Sequence, residues 1–124
     1  MVAMDWTNWL IVAAVVVGFI LLRRLGQVSA AAAREHLKSG ALVIDVRSPG
    51  EFAGGHLPKA INMPVEEIET LLPRRVSDHN QVLLLHCQSG MRSGTAKRKL
   101  QALGYTKAFN LGSYGRAARI VNRN

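Results

Sequence analysis

Residues 6–22 read WTNWLIVAAVVVGFILL, a run without one charged side chain. Nothing else in the 124-residue chain constrains the fold as strongly, because a helix apolar on every face cannot offer all of them to one soluble core. As an α-helix the 17 residues reach roughly 25 Å, a little short of the ~30 Å hydrocarbon core of a bilayer. Trp6 and Trp9 stand at one end like an interfacial aromatic belt, and Arg23 and Arg24 close the other. The pattern predicts a transmembrane anchor over residues 1–24. Asp5 is the only charge before the run, so the positive-inside rule predicts a single-pass protein of the inner (cytoplasmic) membrane, its folded part facing the cytoplasm. Two other readings stay open. A cleaved signal peptide lacks its positive leading region here, although Ser29–Ala33 imitates a cleavage site. A buried core helix is the other.

Residues 25–28 then form a short linker, and residues 29–124 hold about 100 residues, enough for one modest core. Ser29 is a candidate N-cap for a helix over Ala30–Lys38, with Gly40 placed to stop it. ALVIDV (41–46) and QVLLLH (81–86) are short apolar runs of the kind found in buried parallel strands. Residues 47–59 read as a polar loop, 60–62 as a brief strand, and Pro64 as the start of a helix ending near Leu72, before Pro73. A helix over 93–103, a strand over 107–110 and a helix over 114–121 complete the chain. Strands alternating with helices predict an α/β domain with a mostly parallel central sheet.

Charge is divided unevenly along the chain. Residues 1–78 hold all eight acids against eight Lys/Arg, whereas 79–124 hold eight Lys/Arg and no acid. That half presents either a solvated basic face or a positive field that attracts small anions or anionic lipid. Nucleic acid is not expected, since no aromatics are interleaved for stacking. The single cysteine, Cys87, excludes an internal disulfide and any CxxC site, and the scattered histidines leave no protein-built metal site.

Cys87 is the residue that carries chemistry. It ends a buried strand, and Gln88-Ser89-Gly90-Met91-Arg92 leads into a helix. Ligand sites of open parallel sheets lie at the carboxyl ends of strands. Backbone N–H groups of such a loop, with the helix N-terminus, stabilise a thiolate and make it nucleophilic. Gly90 lets the loop curl, and Arg92 offers a guanidinium fork for an oxyanion. Gln88, Ser89 and Met91 would form the rim. His86 adjoins Cys87, but consecutive strand residues face opposite ways, so it is a poor general base. The alternative is an inert buried cysteine.

Two segments resemble the rhodanese domain of thiosulfate sulfurtransferases over about residues 28–121. LVIDVRSPGEFAGGHLPKAINMP carries Asp45, Arg47, Glu51, Phe52, Gly55, His56, Ala60, Asn62 and Pro64 of the first signature. HCQSGMRSGTAKRKLQALGY carries Cys87, Gly90, Arg92, Ser93, Ala96, Leu100 and Gly104 of the active-site loop and its helix. The chain departs from the family near its end, with Ser113 after Gly112 and Ala117 where a tryptophan is usual. The resemblance implies transfer of a sulfane sulfur from thiosulfate to a thiol or cyanide through a Cys87 persulfide, without a cofactor. It implies Cys87 as catalytic residue, residues 88–92 as substrate-binding, and Asp45 and Arg47 as supporting residues that brace loops by ion pairing, as do Glu51 and His56. Phosphatases of related architecture place five residues between Cys and Arg, and this loop has four. A membrane-tethered sulfur carrier or binding module is the non-enzymatic alternative.

Overall fold

The computed structural model describes residues 5–123, without the side chains of Arg23 and Arg24. Its elements in chain order are α1 (Trp6–Leu25), α2 (Ala30–Lys38), β1 (Leu42–Asp45), α3 (Pro49–Ala53), β2 (Ile61–Asn62), α4 (Ile68–Arg75), β3 (Leu83–His86), α5 (Met91–Ala102), β4 (Ala108–Gly112) and α6 (Tyr114–Asn122). The four strands form one parallel sheet in the order β2-β1-β3-β4. Both runs read as buried strands take the two central places, which is why they carry apolar side chains on both faces.

Alternation along each strand divides the core. Ile44, Leu83 and Leu85 join Ile68 and Leu72 of α4 and Ala96 and Leu100 of α5 on one face. Val43 and Leu84 meet Ala33 of α2 and Ala117 and Ile120 of α6 on the other. Each of these large side chains, removed from water, contributes roughly 1.5–3 kcal/mol before chain entropy is set against it. Ala117 is fully buried at the position where the resemblance leads one to expect tryptophan. Ser113 in turn caps α6 by accepting the Arg116 N–H. The Arg116 guanidinium donates to Leu111 O (2.7 Å) and Val28 O (2.6 Å), which ties α6 to the strand before it and to the residue leading into α2.

Three expectations need correction. Among the described residues no helix is long and apolar enough to cross a membrane. The charge-free part of α1 stops at 17 residues, about 25 Å, because Arg23 and Arg24 fall inside the helix. The anchor over residues 1–24 and the inner-membrane placement facing the cytoplasm are therefore not supported. Residues 1–4 of that segment, and the arginine side chains on which the orientation rested, lie outside the described residues.

The second correction is in the polar loop 47–59, where α3 forms one short helix. Ser48 accepts the Glu51 N–H while the Glu51 carboxylate accepts the Ser48 N–H, so a reciprocal capping box starts it, with Pro49 in its first turn. The third is α4, which begins at Ile68 instead of Pro64 and runs through Pro73 to Arg75. Burial of Ile68 and Leu72, four residues apart on one face, holds the helix across the proline, whose missing N–H faces the first turn at exposed Glu69.

Candidate functional site

β1 and β3 run parallel in register, Asp45 opposite His86, so both end at the same edge of the sheet. The chain leaving β3 becomes Cys87-Gln88-Ser89-Gly90, and α5 starts at once at Met91. Gly90 caps that helix at φ 95°, a left-handed conformation that strains any residue with a Cβ. The curl turns its N–H inward, where it donates to Cys87 Sγ at 3.0 Å. The sulfur is fully buried, at the N-terminus of a 12-residue helix.

Burial alone raises a thiol's pKa, and it is the largest single influence on Cys87. The hydrogen bonds together outweigh it. The Ser93 hydroxyl and the N–H groups of Ser93, Gly90 and Ser89 favour the thiolate, and the net shift is downward. Ser93 Oγ lies 3.5 Å from the sulfur and 2.7 Å from Asn110 Oδ1, so its single proton serves one acceptor or the other, and turns to the sulfur when that is a thiolate. Asn110 also accepts the Gly112 N–H (2.9 Å) and donates to Gly90 O (3.1 Å), so one buried amide fixes the loop, α5 and β4 together. Removing the serine hydroxyl should show in the pH profile. Ser93→Ala is expected to raise the Cys87 pKa and move the acid limb of any thiolate-dependent rate to higher pH. Measuring alkylation of Cys87 by iodoacetamide against pH checks this, and an unmoved limb would remove Ser93 from the thiolate's environment.

Around the sulfur, Gln88, Ser89 and Met91 are exposed on the rim and Gly90 is buried. Arg92 is half-buried, but it is not free for an incoming anion. Its guanidinium forks onto Glu51, Nη1 to Oε1 at 2.7 Å and Nη2 to Oε2 at 3.0 Å. The Arg92 fork, with the Ser48 backbone next, holds the Glu51 carboxyl down at about 2.

Asp45 and Arg47 stand behind the loop and are buried. Asp45 Oδ2 receives Arg47 Nη2 at 2.8 Å and Nε at 3.1 Å, and Oδ1 receives the Arg47 N–H at 2.9 Å. The same guanidinium donates to Gly55 O (2.8 Å), reaches Gln88 Oε1 (3.5 Å) and lies 4.6 Å over the Tyr114 ring. One buried cation thus ties β1, the 54–59 loop, the cysteine loop and α6. His86 faces the α6 side, edge-on to Tyr114, while Cys87 belongs to the α5 side. Desolvation lowers the His86 pKa, and its Nε2 has no hydrogen-bond partner. It is a neutral buried ring that cannot reach the thiol. Among the described residues no group of three His, Cys, Asp or Glu could hold a metal ion.

A family model, described as the rhodanese-like domain, matches residues 29–115, well over half of the chain. The chain belongs to the rhodanese-like domain family. Thiosulfate sulfurtransferase PspE of Escherichia coli (strain K12) is 38% identical over 69 residues, 56% of this chain and 66% of that protein. A thiosulfate:glutathione sulfurtransferase of Homo sapiens is 37% identical over 93 residues, 62% of this chain and 78% of its own. The solved structure of the human single-domain sulfurtransferase TSTD1 superposes with a TM-score of 0.64 at 33% identity, over 76% of this chain and 96% of that one. The chain spans between 55% and 66% of the first three curated relatives it matches.

Within this rhodanese-like frame, two residues of the site were not picked out as site residues in the sequence. Ser93 sits in the matched helix motif, but its closeness to the sulfur depends on α5 starting at Met91. Asn110 had no signal at all. It lies in an apolar strand, 17 residues beyond Ser93, and only the β3–β4 register brings the two together.

Proposed function

We propose that this sulfurtransferase-family chain moves a sulfane sulfur from thiosulfate to a thiol or cyanide through a persulfide on Cys87. The observation that carries the reading is the Cys87 thiol, buried beneath loop N–H groups at a helix N-terminus, with its pKa pulled down. The thiolate attacks the outer sulfur of thiosulfate, the S–S bond breaks, and sulfite leaves with the electron pair. Cys87 then holds an anionic persulfide, which the same inward N–H groups and helix dipole stabilise. A second thiolate attacks the terminal sulfur, takes it as a new persulfide and returns Cys87 to its thiolate. The chemistry is supplied by sulfur itself, so no cofactor enters it. The four-residue spacing of the loop leaves a tight ring suited to one extra sulfur atom, which disfavours the phosphatase alternative.

Intact-mass spectrometry of the protein after thiosulfate tests this directly. The expected result is one added sulfur atom, localised to Cys87 and removed by cyanide with thiocyanate released repeatedly. A single release without further turnover would make the protein a carrier, and no added sulfur would overturn the reading.

Arg92 and Glu51 supply a second test. An incoming dianion competes with Glu51 for the guanidinium. Arg92→Ala is expected to raise the thiosulfate KM on the order of ten-fold, the loss of a charge-assisted partner. Glu51→Gln keeps the capping box, since glutamine serves at that helix position, but removes the competing charge. It is expected to lower the thiosulfate KM a few-fold. Steady-state kinetics on both variants decide; an unchanged KM in each would take Arg92 out of donor binding.

A further inference from the structure

Residues 26–28 follow α1 and precede residue 29, where the family match begins. Their backbone is held from three sides. Gly26 O accepts Lys97 Nζ of α5 at 3.4 Å, and Val28 O accepts Arg116 Nη2 of α6 at 2.6 Å. Between them Gln27 pairs in parallel with Asn110 at the outer edge of β4, and the Val28 N–H donates to Asn110 O at 2.9 Å. These contacts aim the half-buried Gln27 side chain.

It ends against the cysteine loop. A Cβ placed on Gly90 would lie 3.3 Å from Gln27 Nε2, and one on Gly112 would lie 3.0 Å from the same nitrogen. Both glycines are left-handed, at φ 95° and 99°, and they face each other, since the Gly90 Cβ position is 3.4 Å from Gly112 Cα. Each holds Cys87 by one bond. The Gly90 N–H donates to Sγ at 3.0 Å, and Gly112 O accepts the Cys87 N–H at 3.2 Å. Glycine has the most backbone freedom to lose on ordering, so two of them in contact are the weakest part of the cradle. Asn110 bonds the polar groups of both, the O of Gly90 and the N–H of Gly112. The Gln27 amide fills the space that their absent side chains leave.

We propose that Gln27 is a positioning residue for Cys87, a wedge that holds Gly90 and Gly112 in the conformation that turns the loop N–H groups onto the sulfur. The inference rests on Cys87 as the reacting group and adds to its site a residue outside the matched domain. Cys87 is the only cysteine, so its alkylation by iodoacetamide in the full chain reports the thiolate without any sulfur transfer. Gln27→Ala removes the wedge and leaves the thiolate with less N–H stabilisation. The acid limb of alkylation should move up by about half a pH unit or more, which on the limb is about a three-fold loss of rate. Gln27→Ser should move it the same way, and guards against an alanine variant that folds poorly. Gln27→Met keeps an unbranched side chain of the same length and should keep the parent's limb. The charged groups around the loop are Arg92 with Glu51, Arg47 with Asp45, and Arg116. All three variants leave them in place, so a shift reads the aim of the N–H groups. A limb unmoved in the truncated variants, or displaced as far by methionine as by alanine, overturns the proposal. If the parent takes up sulfur on Cys87 while the truncations leave the limb unmoved, the wedge alone fails. If the limb moves as expected but the parent forms no persulfide, the wedge stands and the sulfur-transfer reading fails.

Discussion

Cys87→Ser is expected to reduce thiosulfate-dependent thiocyanate formation by on the order of 10⁴-fold or more, to the level of the uncatalysed reaction. A serine hydroxyl has no accessible anion near neutral pH and cannot hold a transferable sulfane sulfur. Oxygen in place of sulfur still accepts the Gly90 N–H, so the loop retains its bond and the fold its packing. The variant should show a thermal midpoint close to that of the parent and no added sulfur in its mass spectrum. Turnover retained in such a folded variant would falsify the persulfide mechanism.

Asp45→Asn is expected to have the largest effect on stability. The Asp45 side chain is fully buried and that of Arg47 is only 7% exposed, so the substitution leaves a buried guanidinium without its counter-charge. Breaking such a pair from one side costs about 3–5 kcal/mol, a large part of the 5–15 kcal/mol that holds a domain of this size. The thermal midpoint should fall on the order of 10–20 °C. Because the same guanidinium reaches Gly55 O and Gln88, the loop around Cys87 should loosen with it. Replacing both partners, Asp45→Leu with Arg47→Met, should recover a substantial part of the loss, since the orphaned charge is what costs most. Urea and thermal unfolding of the two variants measure this. A single substitution costing less than about 1 kcal/mol would show that the pair is not what braces the site.

Much of the site could be read locally. Cys87, Gly90 and Arg92 stand within six residues at a strand-to-helix junction, and the thiolate cradle is a property of that junction's own backbone. The opposed directions of His86 and Cys87 followed from strand geometry, and the packing onto opposite faces agrees. Arg92 stands at the end of that loop in the sequence, but its ion pair was not legible there. Its partner lies 41 residues away in a helix that the Gly- and Pro-rich composition of residues 47–59 concealed.

The sequence by itself determined the parallel α/β class, the two central strands and the place of Cys87 at a strand-to-helix junction, because apolar runs and junction residues record local backbone preference directly. Tertiary structure alone decided which groups surround the sulfur. The Ser93–Asn110 bond, the Arg92–Glu51 fork and the spread of Arg47 contacts each join segments that only strand order and register bring together. It also decided against the anchor, since no helix among the described residues is long and apolar enough to cross a membrane. Periodicity shows that a helix forms and which side chains it displays. What it meets depends on contacts across the fold, whose cost in chain entropy is repaid only when the whole sheet is assembled.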